Sequence, residues 1–290
     1  MSDKNKFFSR ANELLDRLEK HLPVDAGLLQ LNTATANRWR RENGRARLQE
    51  VKQLSQIRLE DLQCLDRQKQ IISQNTRQFI HGLPANNVLL WGPRGTGKSS
   101  LIKAVLNEYA DAGLRLIEVE RQHLVDLADI SDLLYQQPGR FIIYCDDLSF
   151  ESNDASYKAL KVVLDGSISD TPDNVLIYAT SNRRHLMPEY MSENQQSQML
   201  EGELHLSEAI EEKISLSERF GLWLSFHPFN QAQYLCIVDH WVNKLDVNND
   251  DPELMHRAAL KWALEHGSRS GRVAWQFARD RAGKKQLAQL

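Results

Sequence analysis

The residue types that could do chemistry are concentrated first at residues 92–99, which read Gly-Pro-Arg-Gly-Thr-Gly-Lys-Ser. Glycines at this spacing let the backbone wrap closely around a polyphosphate, so that its N–H groups point at the anion. In such a loop the lysine, Lys98, contacts the β- and γ-phosphates, and the hydroxyl of Ser99 binds Mg²⁺. The residues predicted to line this phosphate site are Gly92, Pro93, Arg94, Gly95, Thr96, Gly97, Lys98, Ser99 and Ser100.

The chain on either side of this loop has the context that phosphate binding needs. Apolar residues 88–91 precede the loop and indicate a strand, and residues 101–106 follow it and indicate a helix. A helix that begins at the loop adds the positive end of its dipole to the anion site. A chance match in an ordinary glycine-rich turn is the alternative, and the flanking strand and helix argue against it.

Two acids, Asp146 and Asp147, follow the predicted strand of residues 141–145. In a phosphate-loop enzyme one acid at this place binds Mg²⁺, and another acts as the base for the attacking water. Asp146 is therefore predicted at the metal and Asp147 as the base, although paired acids can also simply cap the next helix. Asn182 ends the strand of residues 175–181, where its amide could orient water or touch the γ-phosphate. Taken alone, an asparagine after a strand is usually a turn residue.

Short apolar strands alternate with predicted helices, and no hairpin turns lie between them. This pattern is typical of an α/β fold with a parallel sheet that helices cover on both faces. Ligands bind such a sheet at the carboxyl ends of its strands, where the glycine loop, the two acids and Asn182 all fall. The five strands are predicted at residues 88–91, 114–119, 141–145, 175–181 and 222–226.

The segments outside this predicted sheet have helical patterns. Apolar residues at helical spacing over 7–22 predict an amphipathic helix, which packs more commonly on its own chain than on a partner. After Pro228 three helical segments indicate a small lid. Residues 185–206 are polar and poorly periodic and are expected to form a mobile insertion. The predicted organisation is a helical N-terminal region at 1–56, a nucleotide-binding core at 57–226 and a helical lid at 227–290.

Basic residues outnumber acids between positions 38 and 52, with Trp39 among them. Such a segment could hold a nucleic-acid backbone and stack a base. The preferred interpretation is a solvated helix face, or a surface that meets an acidic neighbouring subunit. The basic residues are Arg38, Arg40, Arg41, Arg45, Arg47 and Lys52, against Glu42 and Glu50.

Composition limits the remaining function classes. A net charge of −3 over 290 residues, with a pI near 6.3, excludes a globally basic nucleic-acid coat. The three cysteines, Cys64, Cys145 and Cys236, are far apart, as expected for free thiols in a reducing compartment. The sequence has neither a long apolar run nor the apolar segment of a secretion signal. A soluble, cytoplasmic protein without a membrane partner is expected.

Five segments of the chain, taken in order, resemble the Walker A, Walker B, sensor 1, arginine-finger and sensor 2 elements of AAA+ ATPases. They are Gly92-x4-Gly97-Lys98-Ser99, Asp146-Asp147, Thr180-Ser181-Asn182, Ser217-Glu218-Arg219-Phe220-Gly221 and Ser270-Gly271-Arg272. Residues 83–92, 145–150, 178–186 and 216–222 more closely resemble a bacterial AAA+ family catalogued as a domain of unknown function. This resemblance extends from about Ile57 to the C-terminus.

The resemblance implies ATP and Mg²⁺ as ligands and a homo-oligomer whose subunits share active sites. Arg219 would enter the ATP site of the neighbouring subunit, unless it simply pairs with Glu211 or Glu212. Arg272, at the start of the last helix, would reach the γ-phosphate and report lid closure, with Arg269 as its rival. The implied catalytic residues are Lys98, Asp147, Asn182 and Arg219; Ser99 and Asp146 are the implied metal ligands.

One departure from the AAA+ pattern concerns Asp147, because these proteins usually have glutamate there. The aspartate side chain is one methylene shorter than that of glutamate. Either the attacking water lies closer to this part of the chain, or hydrolysis is slow. Glu151 could take the place of Asp147 as the base, but it is a weaker candidate.

The leading functional hypothesis is an ATPase that remodels or loads an unidentified protein or nucleic acid. The alternative is an ATP-gated switch that hydrolyses slowly. A small-molecule kinase fits poorly, because it needs no sensor-like or finger-like arginines.

Overall fold

The computed structural model describes residues 34–42, 45–135, 137–150, 154–165, 172–184, 186, 198–200, 203–205, 216–247 and 251–289, with only the backbone at 42, 45, 198–200 and 203–205. The strands are β1 (Ala36–Glu42), β2 (Arg45–Glu50), β3 (Val88–Trp91), β4 (Leu114–Glu118), β5 (Arg140–Cys145), β6 (Val175–Ser181), β7 (Gln198–Leu200), β8 (Glu203–His205) and β9 (Leu222–Ser225). The helices are α1 (Asp66–Ile80), α2 (Lys98–Tyr109), α3 (Leu127–Tyr135), α4 (Ala155–Asp165), α5 (Gln231–Lys244), α6 (Pro252–Glu265) and α7 (Gly271–Leu287). Two 3₁₀ helices, Leu59–Asp61 and Arg121–Asp126, precede α1 and α3. The predicted amphipathic helix at 7–22 lies outside the described residues.

The main sheet has seven strands in the order β2-β1-β4-β5-β6-β3-β9. All five strands predicted from the sequence are present and pair in parallel in the order β4-β5-β6-β3-β9. The predicted α/β architecture is therefore confirmed, and it forms the larger part of this sheet. The other two strands extend the edge at β4: β1 pairs with β4 in parallel, and β2 pairs with β1 in antiparallel.

Apolar side chains cover both faces of the central strands, and every residue of β6 is buried. On one face, Leu90, Ile102 and Tyr178 belong to a core that continues into the lid helices. On the other face, Ile143 and Leu127 belong to a second core under α3 and α4. Burial on both faces explains why these strands read as continuous apolar runs.

Residues 36–50 correct the prediction of a helical N-terminal region at 1–56, because they form the antiparallel strands β1 and β2. The side chains alternate with the period of two that a strand requires. Trp39 is buried in the core under α3, whereas Arg38 and Arg40 on either side of it are partly exposed. The sequence between the strands, Asn43-Gly44, is a strong hairpin signal that the helical interpretation overlooked.

Three arginines of β1 form ion pairs within their own chain. Asp126 is buried and accepts hydrogen bonds from Arg41 at 2.7 Å and from the Trp39 indole at 2.9 Å. These arginines lie on a strand and therefore do not form the solvated helix face that the sequence analysis preferred. A surface that meets an acidic neighbouring subunit stays a prediction. The pairs are Arg38–Glu118, Arg40–Glu120 and Arg41–Asp126.

The predicted lid consists of α5, α6 and α7. Each helix begins at a side chain that caps its first turn, namely Asn230, Asp251 and Ser270. Within the predicted insertion at 185–206, the described residues include the two-stranded antiparallel sheet β7–β8. None of the helices in the described ranges is long and apolar enough to cross a membrane.

Candidate nucleotide site

The phosphate loop connects the end of β3 to the start of α2, as the sequence predicted. Gly92 has a φ of +142°, and a Cβ there would lie 2.1 Å from the carbonyl oxygen of Phe226. A Cβ at Gly95, whose φ is +78°, would lie 2.7 Å from the Cβ of Ser270 at the start of α7. Glycine is therefore needed at both positions, because the loop packs tightly between the end of β9 and the lid.

The side chain of Lys98 is buried at the centre of the site, with only 6% of the residue exposed. Its Nζ donates hydrogen bonds to the carbonyl oxygens of Gly92 at 2.6 Å and Pro93 at 2.9 Å, and to Asn182 Oδ1 at 3.2 Å. Burial lowers the pKa of Lys98, although the negative charges of Asp147 and Asp146 oppose this shift. The ammonium group is thus held beneath the loop by three acceptors.

Asp146 lies beside Ser99, the residue that follows Lys98. Its Oδ1 accepts hydrogen bonds from Ser99 Oγ at 2.7 Å and Thr180 Oγ1 at 2.6 Å. Burial by itself raises the pKa of Asp146, but the hydroxyls of Thr180, Tyr144 and Ser99 outweigh it, and the pKa is lowered. An ionised carboxylate thus lies next to a hydroxyl, and both are oxygen ligands that suit Mg²⁺.

Asp147 lies in the left-handed region with a φ of +51°, and its backbone N–H donates to Thr180 Oγ1 at 2.9 Å. Asn182 Nδ2 donates to one oxygen of its carboxylate. Arg94 donates to the other oxygen at 3.2 Å. Asn182 therefore contacts both Lys98 and Asp147, and both carboxylate oxygens of Asp147 have a donor. Glu151, the weaker candidate base, lies outside the described residues.

The donor set fits Mg²⁺ better than a metal that needs an all-protein cage. Within the part of the chain that the structure describes, no group of three or more His, Cys, Asp or Glu side chains could hold an ion. Mg²⁺ is commonly bound by one or two protein oxygens together with substrate phosphates and water. Ser99 and Asp146 supply two such oxygens.

A cavity of about 830 Å³ adjoins the phosphate loop. Thr96 and Ser100 line it together with the polar residues just described. Apolar and aromatic side chains complete the lining, and among them Trp241 of α5 and Trp275 of α7 meet edge to face, with ring centroids 4.5 Å apart. This apolar lining consists of Ile57, Leu62, Leu65, Phe229, Ile237, Trp241 and Trp275.

Comparisons with known proteins identify the family. A family model described as a protein of unknown function, DUF815, matches residues 32–285. The chain belongs to the DUF815 family. No curated protein matches this DUF815 chain.

Solved structures similar to this DUF815 protein include RuvB and Orc1, both AAA+ ATPases. A RuvB variant from Thermotoga maritima aligns with a TM-score of 0.51 and 15% identity, over 77% of this chain and 64% of RuvB. Orc1 from Aeropyrum pernix, solved in complex with DNA, aligns with a TM-score of 0.54 and 15% identity, over 78% of this chain and 61% of Orc1. The DUF815 chain thus spans less than two thirds of these proteins. At this identity the likeness concerns the fold, and it confirms the predicted AAA+ resemblance.

Arg272 of the DUF815 protein lines the cavity, whereas Arg269 does not. The backbone explains this placement, because the N–H of Gly271 donates to the carbonyl oxygen of Gly95 at 2.9 Å. This hydrogen bond fixes the start of α7 directly on the phosphate loop. Of the two candidate lid arginines, the structure brings Arg272 to the site.

Arg219 lies near the amino end of β9, whereas the phosphate loop lies at the carboxyl end of the parallel strand β3. It precedes β9, whose first residue, Leu222, pairs with Val88 at the start of β3. A four-residue strand spans about 13 Å, so Arg219 is well separated from its own loop. Its guanidinium pairs with Asp165 at the end of α4. The two glutamates considered as its partners, at positions 211 and 212, lie outside the described residues.

Sequence reasoning missed three features of the site. Thr180 was quoted in a motif without a role, yet it donates to Asp146 and accepts from Asp147. Arg94 lines the cavity, and its pair with Asp147 was not predicted. The tryptophans of the apolar lining were not identified, because no local pattern shows that two separate lid helices bring them together.

Proposed function

We propose that this DUF815 protein binds ATP with Mg²⁺ in the cavity at the phosphate loop and hydrolyses it. The observation that carries this proposal is the convergence of five predicted side chains from three separate segments into one hydrogen-bonded cluster beside a cavity of nucleotide size. Sites for small ligands and cofactors commonly measure about 300–1,000 Å³, and this cavity measures about 830 Å³. The five are Lys98, Ser99, Asp146, Asp147 and Asn182.

In this proposal the phosphate loop and Lys98 bind the β- and γ-phosphates. Lys98 exchanges its hydrogen bonds with the carbonyls of Gly92 and Pro93 for phosphate oxygens. Ser99 and Asp146 would hold Mg²⁺, which would supply positive charge against the negative charge that develops on the transferred group. The lowered pKa of Asp146 supports this role, because the carboxylate stays ionised under acidic conditions.

Asp147 is proposed to accept the proton of the attacking water, and Asn182 to orient that water. Both side chains lie at the carboxyl edge of the sheet, next to Lys98, where the γ-phosphate would be bound. The base must be within hydrogen-bond reach of the water. Each carboxylate oxygen of Asp147 can accept a further hydrogen bond, and the side chain is half exposed, so a water can reach it beside Arg94 and Asn182.

The apolar lining of the cavity is proposed to bind the nucleobase. Trp241 and Trp275 offer flat surfaces, and a flat aromatic base binds well to aromatic and aliphatic side chains. Because both tryptophans belong to the lid, nucleotide binding would join lid and core across the cavity. Arg272, at the start of the same helix as Trp275, would contact the γ-phosphate.

Arg219 is proposed to complete the site of a neighbouring subunit in a homo-oligomer. Its position near the amino end of β9 supports action in trans, because it is separated from its own phosphate loop by the length of β9. An arginine supplied in this way accelerates hydrolysis by roughly 10³–10⁵ in GTPases.

A slowly hydrolysing ATP-gated switch is the second candidate, and two contacts of Asp147 favour it. Arg94 and Asn182 engage both oxygens of Asp147, so the base is restrained. In either case we propose that the lid motion acts on a macromolecule, protein or nucleic acid. The DNA in the Orc1 complex belongs to that protein, and three arginines of β1 in this chain are already paired.

Steady-state phosphate release tests the proposal and separates the two candidates. Wild type should release phosphate in the presence of Mg²⁺, and Asp147→Asn should bind ATP but release little phosphate. Asp129→Asn, which changes an exposed acid of α3, is the matched control and should behave as wild type. A switch would release about one phosphate per site and then show almost no steady-state turnover. Equal phosphate release by Asp147→Asn and wild type would remove Asp147 as the base.

A further inference from the structure

Cys64 and Cys236 are 172 positions apart in the sequence and lie on two segments that face each other. Cys64 lies in the short connection between the 3₁₀ helix Leu59–Asp61 and α1, and Cys236 lies on the lid helix α5. Cys64 has a φ of +62°, a left-handed backbone conformation that residues other than glycine rarely adopt. Outliers of this kind are concentrated at functional sites.

Hydrogen bonds hold these two segments together. Asp61 Oδ1 accepts from His240 Nε2 at 3.0 Å and is paired with Lys244. Gln63 Nε2 and His240 Nδ1 are 3.3 Å apart. Because residues four apart share one face of a helix, Cys236, His240 and Lys244 all face the connection that contains Cys64. The thiol of Cys236 is accordingly a direct neighbour of Cys64.

We infer that Cys64 and Cys236 form a reversible disulfide, with a hydroperoxide as oxidant, that links the lid to the core beside the nucleotide cavity. Both thiols are free, and neither belongs to the phosphate-binding cluster. Cys236 is exposed and Cys64 is partly exposed, so an oxidant can reach the pair.

The two thiols have different roles in this reaction. Burial, and then the neighbouring Cys236, raise the pKa of Cys64 to about 11, so that Cys64 is protonated at neutral pH. Cys236 is the more exposed of the two thiols and is therefore the sulfur that attacks the hydroperoxide: its S–H proton leaves, the O–O bond breaks, and a sulfenic acid forms with release of an alcohol or water. Cys64 then attacks this sulfenic sulfur, the S–S bond forms, and water leaves. The two thiols lose two electrons, and the hydroperoxide gains them.

The position of the bond indicates its consequence. Gln63 and Leu65, on either side of Cys64, line the cavity, as does Ile237, which follows Cys236. A bond between the two segments would fix α5 against the core at the edge of the cavity. We therefore expect the oxidised protein to release a bound nucleotide several-fold more slowly, because release requires the lid to open. This expectation rests on the proposed function.

The experiment uses the whole chain, exposed to hydrogen peroxide, quenched with an alkylating reagent and digested without reductant. We expect one linked peptide that contains Cys64 and Cys236, lighter than the sum of its parts by two hydrogen atoms and lost on reduction. Cys64→Ser and Cys236→Ser should each abolish it, whereas Cys145→Ser, at a fully buried thiol, should not. Alkylation of both thiols, or higher oxidation of Cys236 without a linked peptide, would overturn the inference.

A second measurement keeps this inference separate from the proposed function. The dissociation rate of a fluorescent ATP analogue is compared before and after oxidation, in wild type and in Cys64→Ser. Slower dissociation in oxidised wild type alone supports the coupling, and an unchanged rate rejects it. If the linked peptide forms but the reduced protein binds no nucleotide, the disulfide stands and the proposed function fails.

Discussion

At the scale of residues, Asp146 shows how its neighbours determine the state of a carboxylate. Burial raises its pKa, but hydroxyl groups of Thr180, Tyr144 and Ser99 lower it below the ordinary value. Because the pKa is lowered on folding, this carboxylate contributes stability above its ordinary pKa and loses that contribution as the pH falls through the lowered pKa. Removal of one hydroxyl should therefore have a pH-dependent effect.

Thr180→Val tests this expectation. The variant loses the hydroxyl that donates to Asp146 at 2.6 Å, so the free energy of unfolding should fall by about 1 kcal/mol near pH 7. The difference in the free energy of unfolding between the variant and wild type should shrink on acidification. A protonated, neutral Asp146 gains less from this hydroxyl donor than the charged carboxylate does. Denaturant unfolding over a pH series measures it.

Thr76→Val is the matched control. Thr76 is also buried and donates to the Ile72 carbonyl oxygen at 2.8 Å, but its other partner is the hydroxyl of Tyr178, whose pKa is about 12. This variant should lose a similar stability at every acidic pH, since neither partner titrates there. A constant deficit in Thr180→Val as well would contradict the role given to Asp146.

The candidate site could be predicted to different degrees at different residues. Lys98, Ser99 and Asp146 could be identified from sequence, because strand ends and a glycine loop fix where they lie. The pair of Arg94 with Asp147 could not, because an exposed side chain has several rotamers and its partner is 53 positions away.

At the scale of elements, the β1–β2 hairpin is where the sequence interpretation was wrong. A run of arginines was assigned to a helix face, yet Trp39 faces the core and the charges alternate around it. Propensity and charge counts did not reveal that Glu118 at the end of β4 would lie opposite Arg38. Strand partners so distant in sequence are set by tertiary structure rather than by local pattern.

Replacement of Arg40 and Arg41 by Gln should destabilise this hairpin. The change leaves Glu120 and the buried Asp126 without their charged partners, and we expect the free energy of unfolding to fall by about 1–2 kcal/mol. Lys52→Gln, at an exposed position, is the control and should change it by less than about 0.5 kcal/mol. Denaturant titration gives both values.

The same double variant also tests the nucleic-acid interpretation of this segment. Wild type should bind DNA or RNA no more tightly than about 10⁻⁶ M at physiological salt, as in ordinary non-specific binding. Unchanged stability, together with tight salt-dependent binding that the variant loses, would show that these arginines face nucleic acid instead.

At the scale of the whole molecule, the parallel sheet and the three lid helices could be predicted from the periodicity of their apolar residues. The extension of the sheet by β1 and β2 and the small sheet β7–β8 did not, since each depends on pairing within segments that were interpreted otherwise. The separation of Arg219 from its own phosphate loop follows from the sheet topology. Whether Arg219 acts in the site of a neighbouring subunit can therefore be tested through subunit assembly.

Arg219→Ala should bind ATP almost normally and hydrolyse it far more slowly. If the arginine acts in trans, a mixture of Arg219→Ala with Asp147→Asn should regain partial activity, because some interfaces combine an intact Asp147 with an intact Arg219. The specific activity of wild type should also rise with protein concentration as subunits associate. Phosphate release and native mass analysis measure these effects.

Asp165→Asn is the matched control for this prediction. It removes the acidic partner of Arg219 but keeps the arginine, and it should retain activity. Loss of activity equal to that of Arg219→Ala would indicate that the ion pair itself is what matters. Mixed oligomers without regained activity would likewise exclude a finger in trans.

Direct titration of ATP into wild type and Lys98→Ala, in the presence of Mg²⁺, tests the central claim that this cluster is an ATP site. Lys98→Ala removes the buried ammonium aimed at the phosphates, so ATP affinity should fall at least about a hundredfold, or about 2.8 kcal/mol. Lys158→Ala, at an exposed lysine of α4, should bind as wild type does. Affinity of Lys98→Ala within about threefold of wild type, a difference of about 0.65 kcal/mol, together with an unchanged melting curve, would contradict the account.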